Sequence, residues 1–344
     1  MWLRRLALAG VLLGFSVVVL GAYVRLTAAG LGCPDWPGCY GHFSPLGAEQ
    51  SLAAEVTLPG TPLDVGKAWR EMIHRYAAST LGFIIVLIAA LAIVSREESP
   101  GRARYALLLL ATVVVQGALG MLTVTWQLRP LIVSLHLLFG LTTLSLLWWL
   151  YLDARTPVRA AAALPRGPAV PWVRALATFA LIVLIVQIAL GGWTSSNYAA
   201  IACPDFPTCQ GSLWPAMDYR DGFVLWHRVA GSYEGGVLAL AARTAIHFTH
   251  RLGALVTTVV LGSAAASVLA SARRLPRAAV SAAAAVFAAL ALQLGIGISM
   301  VVRGFPLALA TAHNAGAALT LLAVLALLHT LRPSAAGLLR GEPA

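Results

Sequence analysis

CPDWPGCYG occupies residues 33–41, and CPDFPTCQG occupies residues 203–211. The chain has four cysteines, and these two stretches hold all of them. So unusual a loop, made twice at an offset of 170 residues, points to an internal repeat. Reading outward from both copies extends the match. LLGFSVVVLGAYVRLTAAGLG, before the first loop, runs against LIVLIVQIALGGWTSSNYAAIA, before the second. Further on, EMIHRYAASTLGFIIV meets IHFTHRLGALVTTVVLG, QGALGMLTV meets QLGIGISMV, and SLHLLFGLTTLSLL meets TAHNAGAALTLLAV. His74 to His250 is an offset of 176; Gln116 to Gln293 and His136 to His313 are both 177. A nearly constant offset over four blocks makes the chain a tandem duplication.

Composition says what is duplicated. The 344 residues are 59% hydrophobic and 11% charged, with a mean hydropathy of +0.82. That is a multi-span membrane protein rather than a soluble domain. The net charge of +11 excludes nucleic acid as a partner by its pattern, because the basic residues punctuate apolar segments and form no patch with interleaved aromatics. A spanning helix needs about 20 apolar residues. Eight segments qualify, at 6–27, 71–94, 105–126, 130–152, 173–194, 244–270, 278–301 and 306–330. The first follows MWLRR and imitates a signal peptide. Its apolar run is too long for one and continues into repeat sequence, so it is read as a retained helix. The fold class is therefore all-α and integral to the membrane. Two tandem four-helix bundles are expected, related by a pseudo-two-fold along the membrane normal. The bundles occupy 1–152 and 173–332, joined by a linker at 153–172 and followed by a tail at 333–344.

Lys and Arg placement gives the orientation. Arg4 and Arg5, Arg96, Arg102 and Arg104, Arg155, Arg159, Arg166 and Arg174, Arg273, Arg274 and Arg277, and Arg332 and Arg340 fall in short segments on one side. That side is read as cytoplasmic, with both termini, in a bacterial inner membrane. The long loops at about 28–70 and 195–243 then lie in the periplasm, where thiols are oxidised. Pairings Cys33–Cys39 and Cys203–Cys209 follow, each enclosing five residues. So short a loop gains less from a bridge than a long one. Two roles remain open for it: a stapled lid, or a redox relay made reducible by strain and exposure.

Four of the eight histidines fall in spanning segments at matched positions: His74 and His136, His250 and His313. In each half one lies near the outer start of the second helix and the other several residues into the fourth. Two imidazoles at similar depth inside a four-helix bundle are what a bis-histidine haem needs. A lone intramembrane histidine is as readily a proton relay or an interhelical hydrogen bond; matched pairs in both repeats favour iron ligation. Zinc lacks a third ligand at close spacing. Arg75 and Arg251 follow His74 and His250 and are read as haem propionate partners or as snorkelling interfacial residues. Arg129 and Arg303 share that reading more weakly. The halves differ three residues before the second-helix histidine, where Glu71 in the first faces His247 in the second. Positions i and i+3 share a helix face, so Glu71 projects beside His74. A carboxylate there can take a proton or steady a cation; alternatively it answers the helix dipole. The asymmetry implies one reactive half and one stable electron-transfer half.

These motifs together resemble the haem A synthase family: eight helices in two repeats, EMIHR and IHFTHR, SLH and TAH, and twin CPDxPxC loops. The run GGWTSSNYAAIACPDFPTCQGSLWPAMDY looks particularly like its proteobacterial members, and the likeness covers residues 6–330. The resemblance implies oxidation of a haem O ring methyl to a formyl group, giving haem A for haem-copper terminal oxidases. It implies a haem b held by His250 and His313. It implies a haem O site in the first half, with His74 and His136 as iron ligands and Glu71 as catalytic carboxylate, and it implicates Cys33 and Cys39 in turnover. Substrate and product, with their isoprenoid tails, would exchange through membrane lipid. Haem O synthase, oxidase assembly factors and a second copy of the chain are plausible partners. Two rivals stand beside this reading. A non-enzymatic di-haem b-type cytochrome explains the histidines but not Glu71. A transporter suits the repeat but lacks broken helices and an ion site.

Overall fold

The computed structural model describes residues 2–47, 64–95, 100–155, 171–228 and 231–332. Eight long helices carry it: α1 Trp2–Leu26, α2 Val65–Val94, α3 Pro100–Thr125, α4 Pro130–Arg155, α5 Pro171–Ser196, α6 Leu240–Ala270, α7 Arg277–Val302 and α8 Leu307–Thr330. All eight are long and apolar enough to cross a membrane. Large apolar side chains such as Phe83, Val114, Val186 and Leu255 are exposed on their outer surfaces, which suits lipid rather than water as the surrounding solvent. The protein is a multi-pass, all-α membrane protein.

Most helices begin before the apolar segments do, α1 at Trp2 rather than 6 and α3 at Pro100 rather than 105. α2 begins at Val65 rather than at 71, with Asp64 as N-cap accepting from the Lys67 N–H at 2.9 Å. Hydropathy misses this turn and a half because Gly66, Lys67 and Arg70 are not apolar. α6 likewise begins at Leu240 rather than 244. Most of the 153–172 linker and the 333–344 tail lie outside the described residues.

Within the first half α1 packs on α2 and α4, and α3 packs on α2 and α4. The second half repeats the ring: α5 packs on α6 and α8, and α7 packs on α6 and α8. The halves meet through α1 against α8, α4 against α5, and α4 against α8. Exchanging the two repeats turns this set of contacts into itself. One apolar core crosses the junction, with Ile85, Ile88, Leu144 and Leu147 from the first half and Leu261, Val268 and Leu327 from the second. The Trp148 indole N–H donates to the Leu322 carbonyl across it at 2.9 Å. At the end where α4 and α8 finish, Asp153 accepts from both Arg102 and Arg332.

Candidate functional site

The two cysteine loops share one construction. Each is closed by a disulfide, Cys33–Cys39 and Cys203–Cys209, as the sequence predicts. Asp35 accepts from the Tyr40 and Gly41 N–H groups at 2.6 and 2.9 Å, and Asp205 accepts from Gln210 and Gly211 at the same two distances. The Thr208 hydroxyl and the Gly211 N–H hold the Asp205 carboxyl below the usual carboxylate range. The chain then turns through the left-handed region at Tyr40 and Gly41, and at Gln210 and Gly211. Short isolated bridges, Cys39 with His42 and Cys209 with Ser212, finish the two turns.

Arginine clamps each loop onto the helix below it. Arg75, on α2, donates to the carbonyls of Asp35 at 2.9 Å, Pro37 at 3.2 Å and Gly38. Arg251, on α6, donates to Thr208 at 2.8 Å, Cys203 at 3.0 Å and Asp205 at 2.8 Å. Asp35 matches Asp205 and Gly38 matches Thr208 at the repeat offset of 170. The planar guanidinium, with its five donors, can gather several carbonyls in this way. The sequence offers a propionate or the membrane interface as surroundings for these arginines; in the structure their guanidinium groups donate to the loops.

Beneath each clamp lies the residue that differs. Glu71 is 4% exposed. Its Oε1 pairs with Arg75 at 2.5 Å and its Oε2 accepts the Cys33 N–H at 2.9 Å. The carboxylate thus touches the disulfide loop itself. His247 occupies the matching place, equally buried, and its Nε2 accepts from Arg251 Nε at 3.3 Å.

Each half carries two of the four matched histidines, His74 on α2 with His136 on α4, and His250 on α6 with His313 on α8. Every ring lies against bare helix backbone. A Cβ built on Gly21 would come 2.9 Å from His74, on Gly120 3.2 Å from His136, on Gly191 3.1 Å from His250, and on Gly297 2.9 Å from His313. These glycines obey the repeat, Gly21 to Gly191 at 170 and Gly120 to Gly297 at 177. A side chain at any of them would push the ring out of its slot. Glutamines also repeat: Gln116 Nε2 lies 3.5 Å from His136 Nε2, and Gln293 Nε2 lies 3.4 Å from His313 Nε2. Sequence reading used both glutamines only as markers of the repeat, and passed over the glycines. The constant offset was the signal that could have singled them out.

Several buried polar atoms here have no protein partner: Nδ1 of His74, His136 and His313, and Oε1 of Gln116, Gln187 and Gln293. Orphaned buried groups of this kind call for a bound ligand. Among the described residues no group of three or more metal-ligating side chains occurs. Two imidazoles are a complete protein contribution only for a metal that brings its other ligands with it, as a haem iron does. The residues present fit that group in both halves.

Of the other charged candidates, Arg303 is exposed. Arg129 instead sits in an aromatic cage, 3.8 Å from the Trp226 ring, with Tyr233 and Trp126 beside it.

Residues 4–325 match the COX15-CtaA family, cytochrome oxidase assembly protein. The chain is 42% identical over 322 residues to "Heme A synthase" of Shewanella oneidensis, covering 93% of each chain. It is 29% identical over 330 residues to "Heme A synthase" of Rhizorhabdus wittichii, covering 90% of this chain and 88% of the relative. A third relative with the same name, from Caulobacter sp. strain K31, is 29% identical and shares 89% of each chain.

Proposed function

The chain belongs to the COX15-CtaA family of cytochrome oxidase assembly proteins, and on that premise we propose that it is a haem A synthase, oxidising a ring methyl of haem O to a formyl group. The observation that carries the reading is a duplicated imidazole pair in which one copy alone has a buried carboxylate overhead. His74 and His136 hold the substrate haem O in the first half; His250 and His313 hold a resident haem b in the second. When bound, the haems supply one-electron redox chemistry at iron and an oxidisable macrocycle.

The chain's own residues supply position, proton handling and closure. Gly21 and Gly120 fix how closely the first-half rings approach their neighbouring helices. Glu71 accepts or returns a proton at Oε1 or Oε2, at the cost of its bond to Arg75 or to the Cys33 N–H. Its place against the loop means that opening the disulfide releases one of its two partners. Arg75 and Arg251 act through the loops they clamp; a propionate contact would compete with three loop carbonyls apiece. The loops then cover the sites from the periplasmic side, with both termini in the cytoplasm. The product serves haem-copper oxidases, and both haems with isoprenoid tails exchange through lipid.

A di-haem cytochrome would need no difference between Glu71 and His247. Co-expression with a haem O supply, followed by haem extraction, separates the two. Haem A should appear, and Glu71→Ala should abolish it while the second-half haem stays. Haem A formed at full yield by Glu71→Ala would remove Glu71 from the mechanism. No haem A from the unaltered protein would leave the cytochrome reading standing instead.

A further inference from the structure

Of the four matched imidazoles, His250 alone has a protein partner for its Nδ1 among the described residues. That partner is Gln187, on α5. Its Nε2 lies 3.1 Å from His250 Nδ1 and donates to the His250 carbonyl at 3.0 Å. Gly253 leaves it room, since a Cβ there would fall on the Gln187 Oε1. The arrangement exists in one half only. At the repeat offsets, Gln187 corresponds to Val17 and Gly253 to Ala77. In the first half His74 Nδ1 is buried without a partner, and valine can offer it none.

From this difference we infer that Gln187 is the positioning residue that makes the second-half haem permanent, and that its replacement by Val17 leaves the first-half haem exchangeable. The inference rests on the haem reading of both sites. An iron on Nε2 of His250 needs the proton on Nδ1, and an acceptor for that proton. Presenting Oε1 to the Nδ1–H takes a half-turn of the Gln187 amide, which gives up the Nε2 donation to the His250 carbonyl and turns Oε1 toward that carbonyl oxygen, so the new bond must outweigh the one it replaces. Oε1 itself is buried and otherwise unpartnered. An outer acceptor of this kind fixes the tautomer and ring orientation and raises the basicity of the ligating nitrogen, and its loss typically weakens metal binding about 10–100-fold. His74 lacks that support. On the α1 side its ring lies against Gly21 and its Nδ1 finds no acceptor, so its bond to iron is weaker and its rotation freer. A site that must take in haem O and release haem A requires that property. A resident electron carrier requires the opposite.

The test uses the full-length purified protein and three readouts: the rate of haem loss to a haem-scavenging apoprotein, the electron paramagnetic resonance of the low-spin haem, and its midpoint potential. Gln187→Val should speed loss of the second-half haem about 10–100-fold and raise its potential. Gln187→Glu, with a stronger acceptor, should retain the haem and lower the potential below that of the unaltered protein. Val17→Gln combined with Ala77→Gly should slow release from the first half. Unchanged loss rate, resonance and potential in Gln187→Val would overturn the inference. So would potentials of the Val and Glu variants that move the same way, because a packing defect alone would do that. If Gln187→Val does not accumulate, the Glu variant and the first-half double variant decide by the same signs. Unaltered protein that retains no haem would instead overturn the haem reading itself.

Discussion

The two halves of this protein share a backbone plan and differ in a handful of buried side chains. Both have the clamped cysteine loop, the glycine slots and the matched histidine pair. Under the loop clamp the first half has Glu71 where the second has His247, and beside the second-helix histidine it has Val17 where the second has Gln187. On the proposed function, the repeat supplies two equivalent cradles, and these few substitutions give them different tasks. On that proposal, what the halves share would hold a haem, and where they differ would distinguish substrate from cofactor. Cutting the same feature in each half and comparing the outcomes is thus the most direct experiment available.

The largest difference should come from the ligands themselves. His250→Ala should leave the purified protein without its resident haem, a loss greater than the roughly 10–100-fold expected of an outer-shell partner. His74→Ala should keep that haem at the level of the unaltered protein and fail to form haem A. Haem content by alkaline pyridine spectroscopy, with extracted haem A alongside, reads both. Equal haem content in the two variants would erase the assigned division of labour.

How much of this was legible in the sequence depends on the kind of contact. The spans were legible because hydropathy over about 20 residues is itself the physical requirement. The matched histidine positions on spanning helices were legible because the repeat offset picks them out. The arginine clamps were not. An arginine beside a ligand histidine suggests an anion, and nothing in HR announces that the loop 40 residues earlier will offer three carbonyls. Gln187 was hidden for a different reason. Matching the halves draws the eye to residues that agree, and its counterpart is a valine. The first turns of α2 were missed because Lys67 and Arg70 break the apolar run while the backbone, capped by Asp64, remains helical.

The clamps should rank next. A hydrogen bond from a charged donor contributes about 1.5–3 kcal/mol, so losing one makes the loop roughly 10–100-fold more open. Lysine cannot replace the fork. Arg75→Lys should expose Cys33–Cys39 to mild reductant and free the Glu71 carboxylate, lowering haem A yield. Arg251→Lys should expose Cys203–Cys209 with a smaller effect on yield. Labelling of thiols after a short reductant pulse measures the first effect and haem extraction the second. Loops equally resistant in both variants would mean that the disulfides, not the arginines, hold them down.

Removing the bridges themselves should do less to the fold than to the difference between halves. A loop this short gains only about 2 kcal/mol from closure, and Asp35 and Asp205 still order the turns. Cys203→Ala should therefore leave haem A yield close to that of the unaltered protein. Cys33→Ala should reduce it further: alanine keeps the backbone N–H, but a loop freed of its bridge holds that N–H less firmly against Glu71. Equal losses would count against any special role for the first loop.

The smallest effect concerns a place where the second half reaches over the first. Residues after the second cysteine loop stay tied to their own half where the Trp193 indole N–H donates to the Gly222 carbonyl at 2.9 Å. They then cross to the first half. Trp226 stacks on Arg129, the Tyr233 N–H donates to the Gln127 carbonyl at 3.0 Å, and Glu234 approaches Lys67 at 3.9 Å. Arg129 directly precedes α4 and stands seven residues before His136, about two helical turns or roughly 10 Å along the helix axis. Trp226→Ala removes a cation–π contact of about 0.5–2 kcal/mol. It should loosen only the cover of the first half, lowering apparent affinity for haem O severalfold while the second-half haem and its potential stay fixed. A shift in that potential would show that the cover couples the halves rather than merely roofing one of them.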